Sequence, residues 1–308
     1  MHKYLFKGFI LIGLILFLAA CGKTGEASSG KGENGDWPEE IAIVQMPNED
    51  NPNSPTLHTQ LREHIAEEVG IDVVEYQGGS YAVGIEAMAS GNIDVMLASP
   101  MSYYQAQKKA GAELLVTPQA DDIPEYYTSF ITQGDNDEIN SIEDLEGKNF
   151  AFVNAASSSG YLYPKGTLVQ ELDLDPALIE QSGYFFENVT FTESHPNSLM
   201  GVAMEDFDAA AVVNGQIDQM LEAADLDPDD IKIIGRTQSI PDASYIIRGD
   251  MPEDLKQAIE DAFVSFEDEE YFEALHQTPN ARFYPTEDDY YEETIKMLET
   301  INALEGAE

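Results

Sequence analysis

The sequence predicts an α/β protein built from two units, and three observations lead to this. Short β-rich runs alternate with helical patterns from residue 40 onward, which is typical of parallel sheets covered by helices. A second alternating set begins after Gly134. Two extended segments, Tyr126–Thr132 and Tyr245–Arg248, stand on either side of that set, so we expect the chain to cross there between two lobes.

The first unit is predicted from three β-rich runs that enclose two helical patterns. Leu57, Leu61, Ile65 and Val69 recur at helical spacing, and Gly70 supplies a stop signal. In chain order, the predicted elements are the strand Ile41–Val44, a helix near Thr56–Val69, the strand Val73–Tyr76, a helix near Tyr81–Ser90 and the strand Ile93–Leu97.

The second unit repeats this alternation and then returns to the first. Its predicted elements are a helical turn at Ser141–Leu145, the strand Asn149–Val153, a helix at Ser159–Leu172, the strand Val189–Phe191, a helix at Ser198–Met204, the strand Ala209–Val213, a helix at Gln216–Ala224 and the strand Ile231–Ile234. A strand at Ala243–Arg248 and helices near Pro252–Phe266 and Asp288–Leu304 follow. We therefore expect residues 39–130 and 244–308 to form lobe 1, and residues 131–243 to form lobe 2.

The first twenty residues predict an export signal. Lys3 and Lys7 precede an apolar run, Gly8–Ala20, which is too short to span a bilayer but suits the core of a signal peptide. The sequence Leu18–Gly22 resembles the processing box of bacterial lipoproteins, in which the cysteine takes the lipid. The alternative is that this cysteine is an inert residue of an apolar segment and carries no lipid. We expect residues 1–20 to be removed and Cys21 to be lipidated.

The residues that follow predict a tether. The stretch 21–38 is rich in Gly, Ser, Lys and Glu and has almost nothing apolar to bury, so we expect it to be flexible. The predicted location is thus outside the cell, anchored by lipid to the outer face of the membrane. With a single cysteine in the chain, no intrachain disulfide forms, and the fold depends on its core.

The charge balance excludes two classes of partner. The formal net charge is −43, and the acidic residues are spread over the whole chain. Nucleic acid and anionic membrane surfaces are therefore poor partners. An anionic ligand has to be held by local dipoles against this overall field.

The segment with the most chemical information is a strand that runs into three serines. Ser157, Ser158 and Ser159 follow the strand Asn149–Val153, and Gly160 stands at the start of a helix. Exposed N–H groups at a helix N-terminus carry partial positive charge, and serine hydroxyls add uncharged donors, which together suit an anion. Serines also cap helices without any ligand. This segment alone leaves both interpretations open.

Several further motifs occur in a fixed order along the chain. They are Ser80–Val83, Ile93–Val95, Pro100–Tyr103, Asp144–Lys148 continued to Tyr161, Ser194–His195, Phe207–Asn214 and Ile240–Pro252. Together they resemble the phosphate/phosphite/phosphonate-binding proteins of ABC importers, from about Glu40 to Phe266. The resemblance implies a two-lobed periplasmic-binding-protein fold, type II-like, with two crossover strands between the lobes.

The resemblance also implies a binding site for a small phosphorus oxyanion and a role in delivering it to an ABC permease. Ser157, Ser158 and Ser159 would hold the phosphonyl oxygens, helped by the N–H groups before Gly160. His195 would be a further donor, and a positive imidazole there would couple capture to pH. On its own, a single histidine is more often structural. No cofactor or metal is expected, and the protein is expected to be monomeric.

Tyrosines of the first lobe would complete the site. The resemblance makes Tyr81 and Tyr103 phenolic donors to the ligand, although packing in the core or cleft is the alternative for both.

One departure from the family pattern bears on the ligand. Aminophosphonate binders place an acid where this chain has Ala243, with Asp242 one position early and facing the opposite side if the segment is a strand. Val213 stands where an acid is frequent, which leaves Asn214 as the nearest polar candidate. We therefore expect an anion without an amine, such as phosphite, methylphosphonate or phosphate.

Two alternatives remain at the level of sequence. A serine-dependent phosphoester hydrolase would use Ser157–Ser159 with His195, but the chain has no Gly-x-Ser-x-Gly elbow and no His-Glu-x-x-His motif. We therefore expect a binding protein and not an enzyme. The second alternative keeps the fold and changes the ligand to another small anion, such as a sulfonate.

Overall fold

A computed structural model describes residues 37–45, 54–77, 80–286 and 289–301. The predicted signal peptide, Cys21 and almost all of the predicted tether lie outside these residues. Within the described ranges, we find no helix with the length and apolar character that a membrane crossing requires.

The first lobe is a mixed sheet with helices on both faces. In the described residues its strands lie in the order β11-β4-β10-β3-β1-β2, and β1 is parallel to β2 and β3. The elements before the first crossing are β1 (Glu40–Gln45), α1 (Ser54–Val69), β2 (Asp72–Gln77), α2 (Tyr81–Ala89), β3 (Val95–Ala98), α3 (Pro100–Ala110) and β4 (Glu113–Gln119). Those after the return are β10 (Ser244–Ile247), α7 (Glu253–Val264), α8 (Glu269–His276) and β11 (Arg282–Pro285).

The second lobe has its own sheet, with strand order β7-β6-β8-β5-β9 in the described residues. Its elements are β5 (Thr128–Gln133), a 3₁₀ turn (Ile142–Leu145), β6 (Asn149–Phe152), a π turn (Ser158–Leu162), α4 (Tyr163–Leu172), β7 (Asn188–Phe191), α5 (His195–Ala203), β8 (Ala209–Val213), α6 (Ile217–Ala223) and β9 (Ile231–Arg236). Apolar clusters pack on the two faces of each sheet, so each lobe has its own core.

The chain crosses between the lobes at places that differ from the expected ones. The segments Tyr126–Thr132 and Tyr245–Arg248 fall largely within β5 and β10, which are sheet strands. The connections are residues 120–127 and 237–243, which lie between strands and have no regular structure. We therefore propose lobe boundaries in these connections, because a boundary between residues 130 and 131 would divide β5.

The C-terminal helix also differs from the prediction. Helix α9 (Glu292–Thr300) follows β11 of the first lobe, but it packs against α4 of the second lobe. Met297 enters the core of the second lobe, and Tyr163 Oη lies 3.0 Å from Thr294 Oγ1. Gly166 makes this approach possible, since a Cβ atom there would lie 1.9 Å from Met297 Sδ. We therefore propose to assign residues 292–301 to lobe 2, and the division of the chain into lobes stays a prediction.

Candidate functional site

Two helices from opposite lobes begin at the cleft, and serines cap both of them. Ser99 follows β3 and accepts a hydrogen bond from the Ser102 N–H at the start of α3. Ser157 follows β6 and accepts one from the Gly160 N–H, 3.0 Å away, at the start of the π turn. In each case a parallel strand ends and a helix starts at the same edge of the sheet, which is where open α/β sheets bind ligands.

The two helix starts contact each other across the cleft. The Met101 N–H of the first lobe donates to Ser158 Oγ of the second, with a distance of 2.8 Å. Gln105 Nε2 donates to the Ala155 carbonyl at 3.2 Å. The positive ends of two helix dipoles therefore face one small region, where an oxygen atom already serves as the acceptor.

Gly160 is required by packing at this point. An added Cβ atom would lie 2.3 Å from Val153 Cβ, much closer than side chains approach each other. The absence of a side chain lets the π turn lie directly against the end of β6, where Val153 N–H donates to the Gly160 carbonyl at 2.9 Å. Ser157 and Ser158 are thereby held at the interface between the lobes.

Ser159 and His195 form the second polar pair of the site. Ser159 Oγ lies 3.0 Å from His195 Nε2, and both residues are buried. The Val213 N–H donates to His195 Nδ1 at 3.1 Å. Because Nδ1 accepts this bond, the proton of the neutral ring is on Nε2, which therefore donates to Ser159 Oγ.

The protonation of His195 follows from its burial. Burial lowers the pKa of His195 to about 4, so the imidazole is neutral at pH 7. The positive imidazole expected from the sequence is one beside a bound dianion, and that expectation stays a prediction. The Ser194–His195 motif does not show that the ring is buried or that its Nδ1 accepts a hydrogen bond from a backbone N–H.

A cavity of about 170 Å³ lies between the lobes next to this pair. Of the nine predicted ligand residues, four line it, and they are Ser159, His195, Asn214 and Asp242. The other five are buried elsewhere and do not line it, and they are Tyr81, Tyr103, Ser157, Ser158 and Gly160. No lysine or arginine is among the lining residues that the structure describes.

The side chain of Asn214 makes hydrogen bonds to the first connection between the lobes. Its Oδ1 accepts from the Tyr127 N–H at 2.9 Å, and its Nδ2 donates to the Glu125 carbonyl at 2.8 Å. Its own N–H donates to the Tyr127 carbonyl at 3.1 Å. Asn214 therefore attaches the end of β8 to the first connection between the lobes.

Asp242 lies in the second connection and reaches the cavity. Burial raises the pKa of its carboxyl group to about 6. From the sequence alone, Asp242 could face either side, because a strand would turn its side chain away from the ligand. The segment 237–243 has no regular structure, so the alternation of a strand does not apply to it.

The two predicted tyrosines lie in the core of the first lobe. Tyr81 is 1% exposed, and Tyr103 packs against Tyr291 with ring centroids 5.6 Å apart. Tyr103 Oη accepts from Gln107 Nε2 at 2.9 Å. Their direct contact with a ligand stays a prediction.

Sequence reasoning missed several residues of the site. The Met101 N–H was not singled out, although Ser99 before Pro100 is a typical helix start and was a usable signal. His58 and His276 also line the cavity. Nothing in their local sequence indicated this, since they come from helices that are far apart in the chain.

A sequence profile described as "ABC transporter, phosphonate, periplasmic substrate-binding protein" matches residues 43–291. The chain belongs to this family. It is therefore an extracytoplasmic substrate-binding component of an ABC transporter of the phosphonate class, which confirms the resemblance seen in the sequence.

Two relatives show how far this substrate-binding protein has diverged. The phosphate-import protein PhnD of Mycolicibacterium smegmatis is 26% identical over 238 residues, which are 73% of this chain and 70% of that protein. The phosphonates-binding periplasmic protein of Escherichia coli is 22% identical over 213 residues, which are 68% of this chain and 60% of that protein.

Solved structures confirm the two-lobed fold of this substrate-binding protein. A binding component of an ABC phosphonate transporter from Pseudomonas aeruginosa superimposes with a TM-score of 0.74 at 18% identity, covering 86% of this chain and 87% of that one. PhnD1 of Prochlorococcus marinus in complex with methylphosphonate gives a TM-score of 0.69 at 17% identity, covering 86% and 98%.

Proposed function

We propose that this protein captures a small phosphorus oxyanion between its lobes and delivers it to an ABC permease. The main support is that two serine-capped helix starts from opposite lobes lie in contact. The Met101 N–H of one donates a hydrogen bond to Ser158 Oγ of the other. A phosphoryl oxygen is an acceptor of the same kind for these N–H groups, with the added advantage of negative charge at two positive helix ends.

In this chain, uncharged hydrogen-bond donors have to bind the anion. The net charge is −43, and the described cavity lining contains Glu125 and Asp242 but no positive side chain. The available donors are backbone N–H groups and the hydroxyls of Ser158 and Ser159, and the Nε2–H of His195 donates to Ser159 Oγ and so orients that hydroxyl. Contacts of one ligand with both lobes favour the closed arrangement, which is the form that a permease would recognise.

The ligand is proposed to be a phosphorus oxyanion without an amine, such as phosphite, methylphosphonate or phosphate. Val213 and Ala243 both line the cavity without a charge, which supports a ligand that has no amine. Asp242 lines the same cavity, so aminoethylphosphonate is the informative competitor. Tight binding of the amine compound over the three simple anions would contradict this assignment.

Isothermal titration calorimetry tests the proposal directly. The panel contains phosphite, methylphosphonate, aminoethylphosphonate, phosphate and sulfate, and the expected result is binding of at least one amine-free phosphorus anion. Ser158→Ala should weaken that binding at least tenfold, because it removes one charge-assisted hydrogen bond. Ser90→Ala, at an exposed serine on the end of α2, is the matched control and should leave the affinity unchanged.

A sulfonate is the second candidate ligand. The alkanesulfonate-binding protein SsuA of Xanthomonas axonopodis pv. citri, bound to MOPS, shares the fold with a TM-score of 0.58 at 14% identity. Sulfonates carry the same tetrahedral oxygens, so the serine-capped helix starts also suit them. Tight binding of a sulfonate with no response to any phosphorus compound would replace the first proposal.

We infer that Ser159 and His195 do not catalyse hydrolysis. A general base must present a lone pair to the serine, whereas here Nδ1 accepts from Val213 and Nε2 carries the hydrogen. Incubation with phosphonate and phosphate esters should give no turnover. Hydrolysis that disappears in Ser159→Ala would contradict this inference.

We further propose export and lipid attachment at Cys21, with a monomeric binding protein held at the outer face of the membrane. The support is the charged, apolar and small-residue pattern of residues 1–22. Cells fed labelled palmitate should yield labelled protein, and Cys21→Ser should release an unlabelled protein into the medium. Membrane retention of the serine variant would contradict the proposal.

A further inference from the structure

The part of the cavity lining that the first lobe supplies differs in chemical character from Ser159 and His195, which the second lobe supplies. It contains the rings of His58, Tyr271, His276 and Phe283. His58 and Tyr271 have ring centroids 6.1 Å apart, and Tyr271 and His276 have centroids 6.4 Å apart. The three rings therefore form one group.

This ring cluster does not suit an oxyanion. Aromatic faces are electron-rich, and the described lining offers no lysine or arginine to balance an anion there. The carboxyl groups of Glu125 and Asp242, which line the same cavity, oppose a second negative charge. An uncharged planar group fits these surroundings, since it can stack on the rings and does not require a counter-charge.

The space is adequate for such a group. The cavity measures about 170 Å³, and an engineered protein cavity of about 150 Å³ accommodates benzene. A ring-sized group therefore fits in the cavity, against the first-lobe rings.

His58 offers a buried nitrogen atom to a ligand in this part of the cavity. It is 4% exposed, and its Nδ1 has no hydrogen-bond partner among the described residues. A buried polar atom without a partner is destabilising, so a ligand group that binds it is favoured. Burial also lowers the pKa values of His58 and His276 to about 4, so both rings are neutral at pH 7. A neutral imidazole nitrogen accepts from, or donates to, a ligand hydroxyl.

We propose that the preferred ligand is an organophosphorus anion whose ring-sized, uncharged substituent carries a hydroxyl group and lies in the cavity against His58, Tyr271 and His276. This inference rests on the proposed function, in which the phosphoryl group is bound next to Ser159, the residue of the second-lobe helix start that lines the cavity. A phosphonate and a phosphate monoester share this chemistry, and they differ only in the atom that joins phosphorus to the substituent.

Calorimetry on the purified full-length chain tests the inference with methylphosphonate, phenylphosphonate and 4-hydroxyphenylphosphonate. We expect phenylphosphonate to bind at least tenfold more tightly than methylphosphonate, and the hydroxyl to add about a further tenfold. Phenyl phosphate and 4-hydroxyphenyl phosphate, run in parallel, distinguish the ester from the phosphonate.

Two variants locate the substituent. His58→Leu should reduce the preference of the protein for the hydroxylated compound over phenylphosphonate about tenfold. His64→Leu, on the same helix but outside the cavity lining, should preserve that preference. Ala274→Phe should abolish the preference for phenylphosphonate over methylphosphonate by filling the space.

The outcomes separate the two proposals. Binding of methylphosphonate with equal or weaker binding of phenylphosphonate overturns the substituent site and leaves the proposed function intact. No binding of any phosphorus compound overturns both. The comparison of ligands on the unmodified protein needs no variant, so misfolding of a variant would not remove the test.

Discussion

The buried imidazole of His195 predicts a measurable dependence of stability on pH. The pKa of this group is about 4 in the folded protein, compared with 6.5 for an ordinary histidine. On acidification the unfolded chain takes up a proton that the folded protein refuses, so the free energy of unfolding falls between pH 6.5 and pH 4. Above pH 6.5, His195 has no effect on this pH dependence.

The size of the effect follows from the shift. At pH 5 the solution is 1.5 units below 6.5, the pKa of histidine in the unfolded chain. Protonation of the unfolded chain then stabilises it by about 1.36 kcal/mol for each of these units. His195 therefore lowers the free energy of unfolding by about 2 kcal/mol at pH 5 relative to pH 7.5. His58, His276 and Asp242 also have shifted pKa values, but their contributions cancel when two variants are compared over the same pH range.

The assay is urea unfolding at pH 7.5 and pH 5 for the wild type and His195→Gln. The wild type should lose about 2 kcal/mol more than the variant on acidification. Asn197→Ala, an exposed change on the same helix, is the control and should show the same pH dependence as the wild type. Equal acid losses in the wild type and His195→Gln would show that His195 is not a buried neutral imidazole.

Three further substitutions test the packing around the site. Asn214→Ala should speed hydrogen exchange at residues 125–127 at least tenfold, because it removes two hydrogen bonds to that connection; unchanged exchange would refute its role. Gly160→Ala should lower the free energy of unfolding by about 1–3 kcal/mol, and Val153→Ala in the same chain should restore part of it, as thermal unfolding would show. Gly166→Ala should lower the free energy of unfolding by a similar amount, because the new Cβ atom displaces Met297 and with it α9. Met297→Ala in the same chain should restore part of that free energy, and no recovery would contradict the contact.

Much of the architecture could be predicted from local patterns. The strand Ala209–Val213 was predicted at its observed bounds, and the helix that ends at Val69 was placed within two residues of its observed start. Periodicity of apolar residues and stop signals such as Gly70 are local properties, so a single sequence contains them. Helices α3 and α8 and strands β4 and β11 were missed.

The candidate site was predicted less completely, for a physical reason. Serine is both a helix cap and an anion donor, and the two roles use the same atoms. Ser157 caps its helix, whereas Ser158, the next residue, accepts a hydrogen bond from the other lobe. The direction of each hydroxyl depends on what lies opposite, which the local sequence does not contain.

By itself, the sequence determined the α/β class, the net charge of −43, and the order of motifs that identifies the family. These follow from residue types and spacing along a continuous segment. Only the tertiary structure decided that Met101 meets Ser158 across 57 positions, that His195 is neutral, and that α9 packs on the second lobe. Each of these depends on burial and on partners that come together when the two lobes pack, and such contacts are not a property of any one segment.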